Sequence, residues 1–147
     1  MHARALLSDF PTVTPDTPVI EAARLLADQD LPGLIVVDGA GRPVSILPGP
    51  QVLRLAVPEY CLDDPALARV VDEAHADRFL DALADRQVSA ALPRDKRKLP
   101  IADPDATVLE LAALMARTHS PLVAVVEDGR LLGAVTLQAL MDWLIAQ

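Results

Sequence analysis

The stretch Pro121-Leu-Val-Ala-Val-Val-Glu-Asp-Gly-Arg-Leu-Leu-Gly-Ala-Val-Thr136 predicts a strand, a tight turn and a second strand. Its first apolar run, Leu122–Val126, is too short for a helix and is rich in β-branched residues, which favour strands. Asp128-Gly129 is typical of a hairpin turn, because glycine adopts positive φ without steric cost. Gly133 indicates a close approach of backbone or ligand, and Thr136 is placed to cap a following helix.

The same layout occurs earlier in the chain, in Leu34-Ile-Val-Val-Asp-Gly-Ala-Gly-Arg-Pro-Val-Ser-Ile-Leu47. A shift of 89 residues, which places Pro15 on Pro104, brings identical residues together at many further positions. Among these pairs are Asp16 and Asp105, Val19 and Val108, Glu21 and Glu110, Pro32 and Pro121, and Val36 and Val125. So many matches in one register are not expected by chance, and the sequence therefore predicts two copies of one unit.

Each copy also predicts one helix before its hairpin and one after it. In the first copy, Thr17-Pro18 has the residues of an N-cap and a first helical position. In the second copy, Thr107 and Glu110 form a capping box, in which each side chain accepts from a backbone amide of the other residue. The helices after the hairpins are predicted at about Gln51–Val57 and Leu137–Ile145, with apolar faces.

The remaining segments lead into the two copies or separate them. Residues 3–8 are predicted as a short leading helix, and Val88–Leu92 resembles that segment. Between the copies, Asp64-Pro65 predicts a helix start, and the acidic residues of this region are expected to face solvent. The chain is therefore divided into a first repeat over residues 1–57, a helical insert over 58–87 and a second repeat over 88–147.

The composition excludes several classes of protein. The chain has 147 residues, of which 52% are hydrophobic, enough for one compact domain or two small units that share a core. Its net charge of −8 argues against nucleic-acid binding and against adsorption to an anionic membrane. Cys61 is the single cysteine, which excludes a disulfide framework. No apolar run has the length of a signal peptide or a membrane span, so a cytoplasmic location is predicted.

Each predicted unit has the order β-α-β-β-α and is similar to the cystathionine-β-synthase (CBS) domain. The resemblance is carried by Pro15–Val19 and Leu34–Leu47 in the first repeat, and by Pro104–Val108 and Pro121–Thr136 in the second. Two repeats in tandem resemble a CBS pair, or Bateman module. The resemblance implies an α+β fold in which two repeats pack about a pseudo-twofold axis with facing sheets. It also implies two clefts between the repeats, which in this family often hold adenosine nucleotides or S-adenosylmethionine.

The family's ligand signature is glycine, two apolar residues, threonine or serine, two further residues and aspartate. In the family, the aspartate holds the ribose hydroxyls, and the start of the following helix holds phosphate with its unpaired amides. The second repeat keeps Gly133 and Thr136 but has Ala139 at the aspartate position. The first repeat departs at all three positions, with Ser45, Pro48 and Gln51. The cleft near Thr136 is therefore the better candidate for a ligand site.

Several residues are expected to complete this site. The backbone amides of Leu137 and Gln138 are expected to be available, and His119 precedes a strand where the family often lines its pocket. A basic loop with Arg94 and Lys96 leads into the second repeat and offers contacts to phosphate. Structural roles stay open, with Thr136 as an N-cap and the loop as a solvated surface. The candidate ligand residues are Gln51, Arg94, Lys96, His119, Gly133, Thr136, Leu137 and Gln138.

Three hypotheses for function follow. The first is a regulatory CBS pair that binds AMP, ADP, ATP or S-adenosylmethionine and signals by a conformational change. The second is a CBS pair with degenerate ligand sites, retained for dimerisation or partner binding, which the missing aspartates favour. The third is an enzyme. The histidines do not have the spacing of metal ligands, and the sequence shows no nucleophile or acid–base constellation, so both observations argue against this hypothesis. We predict no enzymatic activity and no bound metal, and we expect a homodimer that acts on a regulated partner protein.

Overall fold

The computed structural model describes residues 1–57, 62–64, 66, 69, 78–92 and 99–147. The first part contains α1 (Ala3–Leu6), β1 (Thr12–Val13), α2 (Val19–Asp28), β2 (Gly33–Val37), β3 (Pro43–Pro48) and α3 (Gly49–Ala56). The later part contains α4 (Phe79–Ala84), α5 (Val88–Ala91), β4 (Ile101–Ala102), α6 (Val108–Thr118), β5 (Leu122–Glu127), β6 (Arg130–Thr136) and α7 (Leu137–Ile145). Most of the helix predicted after Asp64 lies outside the described residues.

The strands form two sheets of identical topology, which confirms the predicted repeat. In the first sheet, β1 pairs parallel with β2, and β2 pairs antiparallel with β3. In the second sheet, β4, β5 and β6 repeat this order and these directions. Both hairpins carry a register shift at the same place, between Val36 and Val37 and between Val125 and Val126. The two copies therefore agree even in the irregularities of their backbones.

The predicted turn and cap residues largely act as expected. Asp128 and Gly129 adopt φ values of 53° and 77° at the tip of the second hairpin, as a tight turn requires. The Thr107 hydroxyl accepts from the amide of Glu110 at 3.2 Å and so caps α6. The prediction for Thr17 is wrong, because α2 begins one residue later, after Pro18. The Thr17 hydroxyl instead accepts from the amide of Thr14 at 2.9 Å.

The two sheets face each other across a shared apolar cluster. Ile35, Val37 and Ile46 of the first sheet meet Leu122, Ala124 and Ala134 of the second. Ile35 and Ala124 are equivalent positions of the repeat, and so are Ile46 and Ala134. Equivalent positions of the two repeats therefore contribute to the same interface, as an approximate twofold axis requires. This arrangement, with helices packed on the outer faces, confirms the predicted α+β fold of two facing repeats.

Each leading helix packs on the other repeat. In the second repeat, the amides of Ala3 and Arg4 donate to Ala106 and Pro104 at 2.8 and 2.9 Å. In the first repeat, the amide of Val88 donates to Thr17 at 2.9 Å. Ala3 and Val88 are fully buried in the core of the repeat that receives them. Each repeat thus receives the leading helix of the other repeat.

The segment after α1 explains why Gly133 is a glycine. Ser8 and Ala134 exchange two backbone hydrogen bonds of 3.1 Å, so this segment lies along the edge strand β6. A Cβ atom at Gly133 would clash with the carbonyl oxygen of Ser8 and would lie 3.0 Å from Leu7. The predicted close approach at Gly133 is therefore made by backbone from residues 7–8.

Replacing Gly133 by alanine is expected to lower the free energy of unfolding by about 2–4 kcal/mol, because both the clash and its φ of 156° oppose a side chain. Urea unfolding of the purified protein without ligand measures this. Gly39→Ala is the matched control, since an added Cβ there has no neighbour within 4 Å, and its effect should stay within about 0.5 kcal/mol. Equal effects in the two variants would contradict the packing of Ser8 against β6.

Candidate functional site

A pocket of about 640 Å³ opens where the two hairpins begin and end. The register places Gly33 opposite Pro48 and Leu122 opposite Thr136, so these chain ends lie at the same edge of the two sheets. The first repeat contributes Pro32, Pro48 and Pro50 to the lining. The second repeat contributes Ala112, Met115, Ala116, His119, Ser120, Pro121, Leu137, Leu140, Met141 and Leu144. The site therefore exists only because both repeats are present.

The walls of the pocket are mostly apolar. Four of the lining residues are prolines, which have rigid rings and no backbone N–H. The α7 residues Leu137, Leu140, Met141 and Leu144 follow helical spacing and form one side of the pocket. Methionine and leucine side chains adapt to the shape of apolar ligands. The lining therefore favours contact with apolar surface.

The starts of α3 and α7 both border the pocket, but their first amides already have partners. The amide of Gly49 donates to Pro32 at 3.2 Å, and the equivalent amide of Leu137 donates to Pro121 at 2.8 Å. The prediction that the Leu137 amide is available is therefore wrong. The next residue of α3 is Pro50, which lacks an amide proton. The start of α3 is thus depleted of the donors that normally bind phosphate, and the first amide of α7 is already engaged.

The Thr136 hydroxyl acts as the N-cap of α7. It accepts from the amide of Ala139 at 3.1 Å, in the geometry expected for capping. Thr136 is not among the residues that line the pocket. Its neighbour Gln138 is exposed, and its side chain donates to Asp142 at 2.8 Å. The structural interpretation of Thr136 is therefore realised, while a ligand role for Thr136 and Gln138 stays a prediction.

Two polar residues lie at the pocket. His119 ends α6 in the left-handed conformation, with φ of 53°, which turns the chain towards β5. Ser120 follows it, and its hydroxyl donates to the carbonyl oxygen of Leu122 at 2.7 Å. Of the predicted ligand residues, the structure brings His119 and Leu137 together at the pocket.

The other predicted ligand residues lie elsewhere. Gln51 is half-buried in the first turn of α3 and does not line the pocket. Gly133 is buried beneath Ser8, and Arg94 and Lys96 lie outside the described residues. Sequence reasoning missed the contribution of Met115 and Leu140, whose spacing is equally typical of a core helix. Pro48 at the end of β3 and Pro50 in the first turn of α3 contribute to the lining from the first repeat.

Charge is scarce around this site. In the described part of the chain, no polar or charged side chain is buried, and no cluster of metal-ligating side chains occurs. The carboxyl of Asp38 accepts hydrogen bonds from two backbone amides in the turn of the first hairpin. Its pKa is lowered, chiefly because the backbone amide of Arg42 donates to it and then because that of Ala40 does. Asp38 belongs to the turn of the first hairpin, at the opposite end of β2 from the pocket.

The model of the CBS domain family matches the chain twice, over residues 3–54 and 91–146. The chain belongs to the CBS domain family. Its two matched segments correspond to the two sheets with their helices, so the chain is a tandem CBS pair. None of the curated proteins matches it. None of the helices in the described part of the chain has the length and apolar character that a membrane crossing requires.

Solved structures of CBS proteins share the fold. A CBS domain-containing protein of unknown function from Kribbella flavida is 48% identical, with a TM-score of 0.84 over 99% of both chains. The CBS-pair protein CBSX2 from Arabidopsis thaliana is 17% identical, with a TM-score of 0.75 over 99% of this chain and 94% of that one. A structure of CBSX2 in complex with AMP is 18% identical, with a TM-score of 0.69 over 99% and 96%.

The capping role of Thr136 predicts a stability effect that needs no ligand. Thr136→Val keeps the branched shape but removes the acceptor for the amide of Ala139, so the free energy of unfolding should fall by about 1 kcal/mol. Thr136→Ser retains the acceptor and is the matched control, with a smaller loss expected. Thermal and urea unfolding measure both. A loss in Thr136→Ser as large as that in Thr136→Val would contradict the capping role.

Proposed function

We propose that this CBS pair is a regulatory module that binds a small ligand in the pocket between its repeats. The observation that carries this proposal is the pocket itself, which takes its walls from both repeats and has a volume typical of ligand sites. Membership of the CBS domain family supports a regulatory role, and CBSX2 is a CBS-pair protein whose structure holds AMP. An adenine ring or a related ligand is therefore a reasonable occupant to test.

Signalling would follow from the position of the pocket. A ligand there contacts the start of α3 in one repeat and α7 in the other, so it favours the arrangement of repeats that closes best around it. Ligands shift a conformational equilibrium only by their difference in affinity for the two states. A partner protein that contacts α7 would then sense the bound state. The proposed role involves no chemical turnover of the ligand.

A second role, homodimerisation, is favoured by the exposed apolar side of α7. Met141, Leu144 and Ile145 are 47%, 48% and 82% exposed, and they follow one another along one side of the helix. Contiguous apolar surface of this kind commonly marks an interaction site. We propose that a second copy of the chain covers this surface. Dimerisation does not require a bound ligand. It therefore also fits the alternative hypothesis, in which the CBS pair binds no ligand and acts as a dimerisation or partner-binding module.

Ligand binding is tested by thermal unfolding with AMP, ADP, ATP, adenosine and S-adenosylmethionine, confirmed by calorimetry. A ligand at about 100 times its dissociation constant should add roughly 2.7 kcal/mol to the free energy of unfolding. Ala116→Phe should abolish that gain. Ala116 is exposed and lines the pocket, so a phenylalanine at this position would place its ring in the space for the ligand. Ala113→Phe is the control, since Ala113 is exposed on the same helix but does not line the pocket. Equal ligand stabilisation of both variants would contradict this site.

Dimerisation is tested by size-exclusion chromatography with light scattering at micromolar concentration. The wild-type chain should elute as a dimer, and Ile145→Glu should weaken the dimer at least about tenfold, because an unpaired carboxylate would be buried in the interface. Ile145 does not line the pocket, so this variant changes the proposed dimer surface without replacing a lining side chain. Val44→Glu is the control, because Val44 is 47% exposed near the opposite end of the first hairpin. A monomeric wild-type chain would overturn the proposal.

A further inference from the structure

We infer that the pocket between the repeats selects an uncharged ligand with a flat apolar ring system and excludes phosphorylated ligands. This inference rests on the proposed function, since it names the chemical class that the same pocket binds. It departs from the nucleotide expectation because the residues at the pocket differ from those that a nucleotide needs. Three observations support it, namely the state of the helix amides, the charge of the lining and the shape of the walls.

The first observation concerns hydrogen-bond donors. A helix start normally attracts anions, because its first amides have no partner within the helix. Here two helix starts border the pocket, and the carbonyl oxygens of Pro32 and Pro121 accept from the leading amide of each. These two bonds are related by the repeat, so the first amide of each helix is engaged in the same way. Pro50 then removes the second donor of α3, and Thr136 uses the amide of Ala139 in α7.

The second observation concerns charge. Within the described part of the chain, His119 is the lining residue with a titratable side chain, and it is exposed to solvent. Among the residues that the structure describes, no arginine or lysine lines the pocket. A phosphate placed between these walls would lose water without gaining a paired cation, and transferring an unpaired charge out of water is costly. The net charge of −8 on the chain adds further repulsion.

The third observation concerns shape. Pro32, Pro48 and Pro50 face residues of the second repeat, including Pro121, across the pocket. Proline rings are rigid, so the opening between them is preformed and loses little entropy when a ligand binds. Leu140 and Met141 provide an apolar floor that can adapt to a ring edge. Ring systems of about two fused rings match these walls in polarity and fall within the size range that pockets of this volume accept.

A matched pair of fluorescent probes tests the selection. N-phenyl-1-naphthylamine is uncharged, and anilinonaphthalene sulfonate has the same aromatic rings with an added anionic sulfonate. We expect saturable binding of the uncharged probe at one site per chain, and binding of the sulfonate at least roughly tenfold weaker. Ala116→Phe should abolish binding of the uncharged probe, and Ala113→Phe should preserve it. Adenosine and AMP form a second pair that differs only in phosphate, and adenosine should bind more tightly than AMP.

The outcomes separate this inference from the proposed function. If the sulfonate binds as tightly as the uncharged probe and Ala116→Phe blocks both, the pocket binds ligands but the inferred selection is wrong. If neither probe, nor adenosine, nor any nucleotide binds, the proposed ligand function itself fails. Probe binding that survives Ala116→Phe overturns the assignment to this pocket. Conversion of a dimer to a monomer by Ala116→Phe shows that a second copy fills the pocket, and this also overturns the inference.

Discussion

The contact on which the structure depends is the apolar cluster between the two sheets. Because the equivalent residues Ile35 and Ala124, and likewise Ile46 and Ala134, belong to this one cluster, the two hairpins face each other about an approximate twofold axis. That symmetry brings the same end of both hairpins to one edge of the molecule. The pocket forms there, lined by Pro32 and Pro121 and by the starts of the two helices that follow. The candidate site is therefore a consequence of how two copies of one unit pack.

The exchanged leading helices connect the repeats a second time. Ala3 is buried in the second repeat, and Val88 is buried in the first. Each repeat thus lacks part of its own core without the other. The backbone pairing of Ser8 with Ala134 also covers the edge of β6, which would otherwise expose unpaired backbone groups. The two repeats are therefore joined both by the facing sheets and by the exchanged leading helices.

The same symmetry explains how the site departs from the nucleotide signature. Gly49 and Leu137 occupy equivalent positions, and each donates its amide to the proline carbonyl that precedes the paired strand. Gly133 accommodates the carbonyl oxygen of Ser8, and its counterpart in the first repeat is Ser45. Gly133 and Thr136, the two signature residues that the second repeat keeps, thus have a packing role and a capping role. The remaining surface between the repeats is apolar, and this is the basis for a ligand that carries no phosphate.

The sequence alone determined the hairpins, the caps at Thr107 and Thr136 and the duplication, because these features depend on local chemistry. Leu122–Val126 formed the strand that its β-branched residues favour, and Thr107 capped α6 through an amide only three residues away. Only the tertiary structure decided three other features. These are the packing of Ser8 against Gly133, the hydrogen bond from the Leu137 amide to Pro121 and the exchange of the leading helices. Ser8 and Ala134 are separated by 126 residues, so no pattern near either one indicates the other. Such contacts exist only after the two sheets have met, because the facing cores place distant backbone groups within bonding distance.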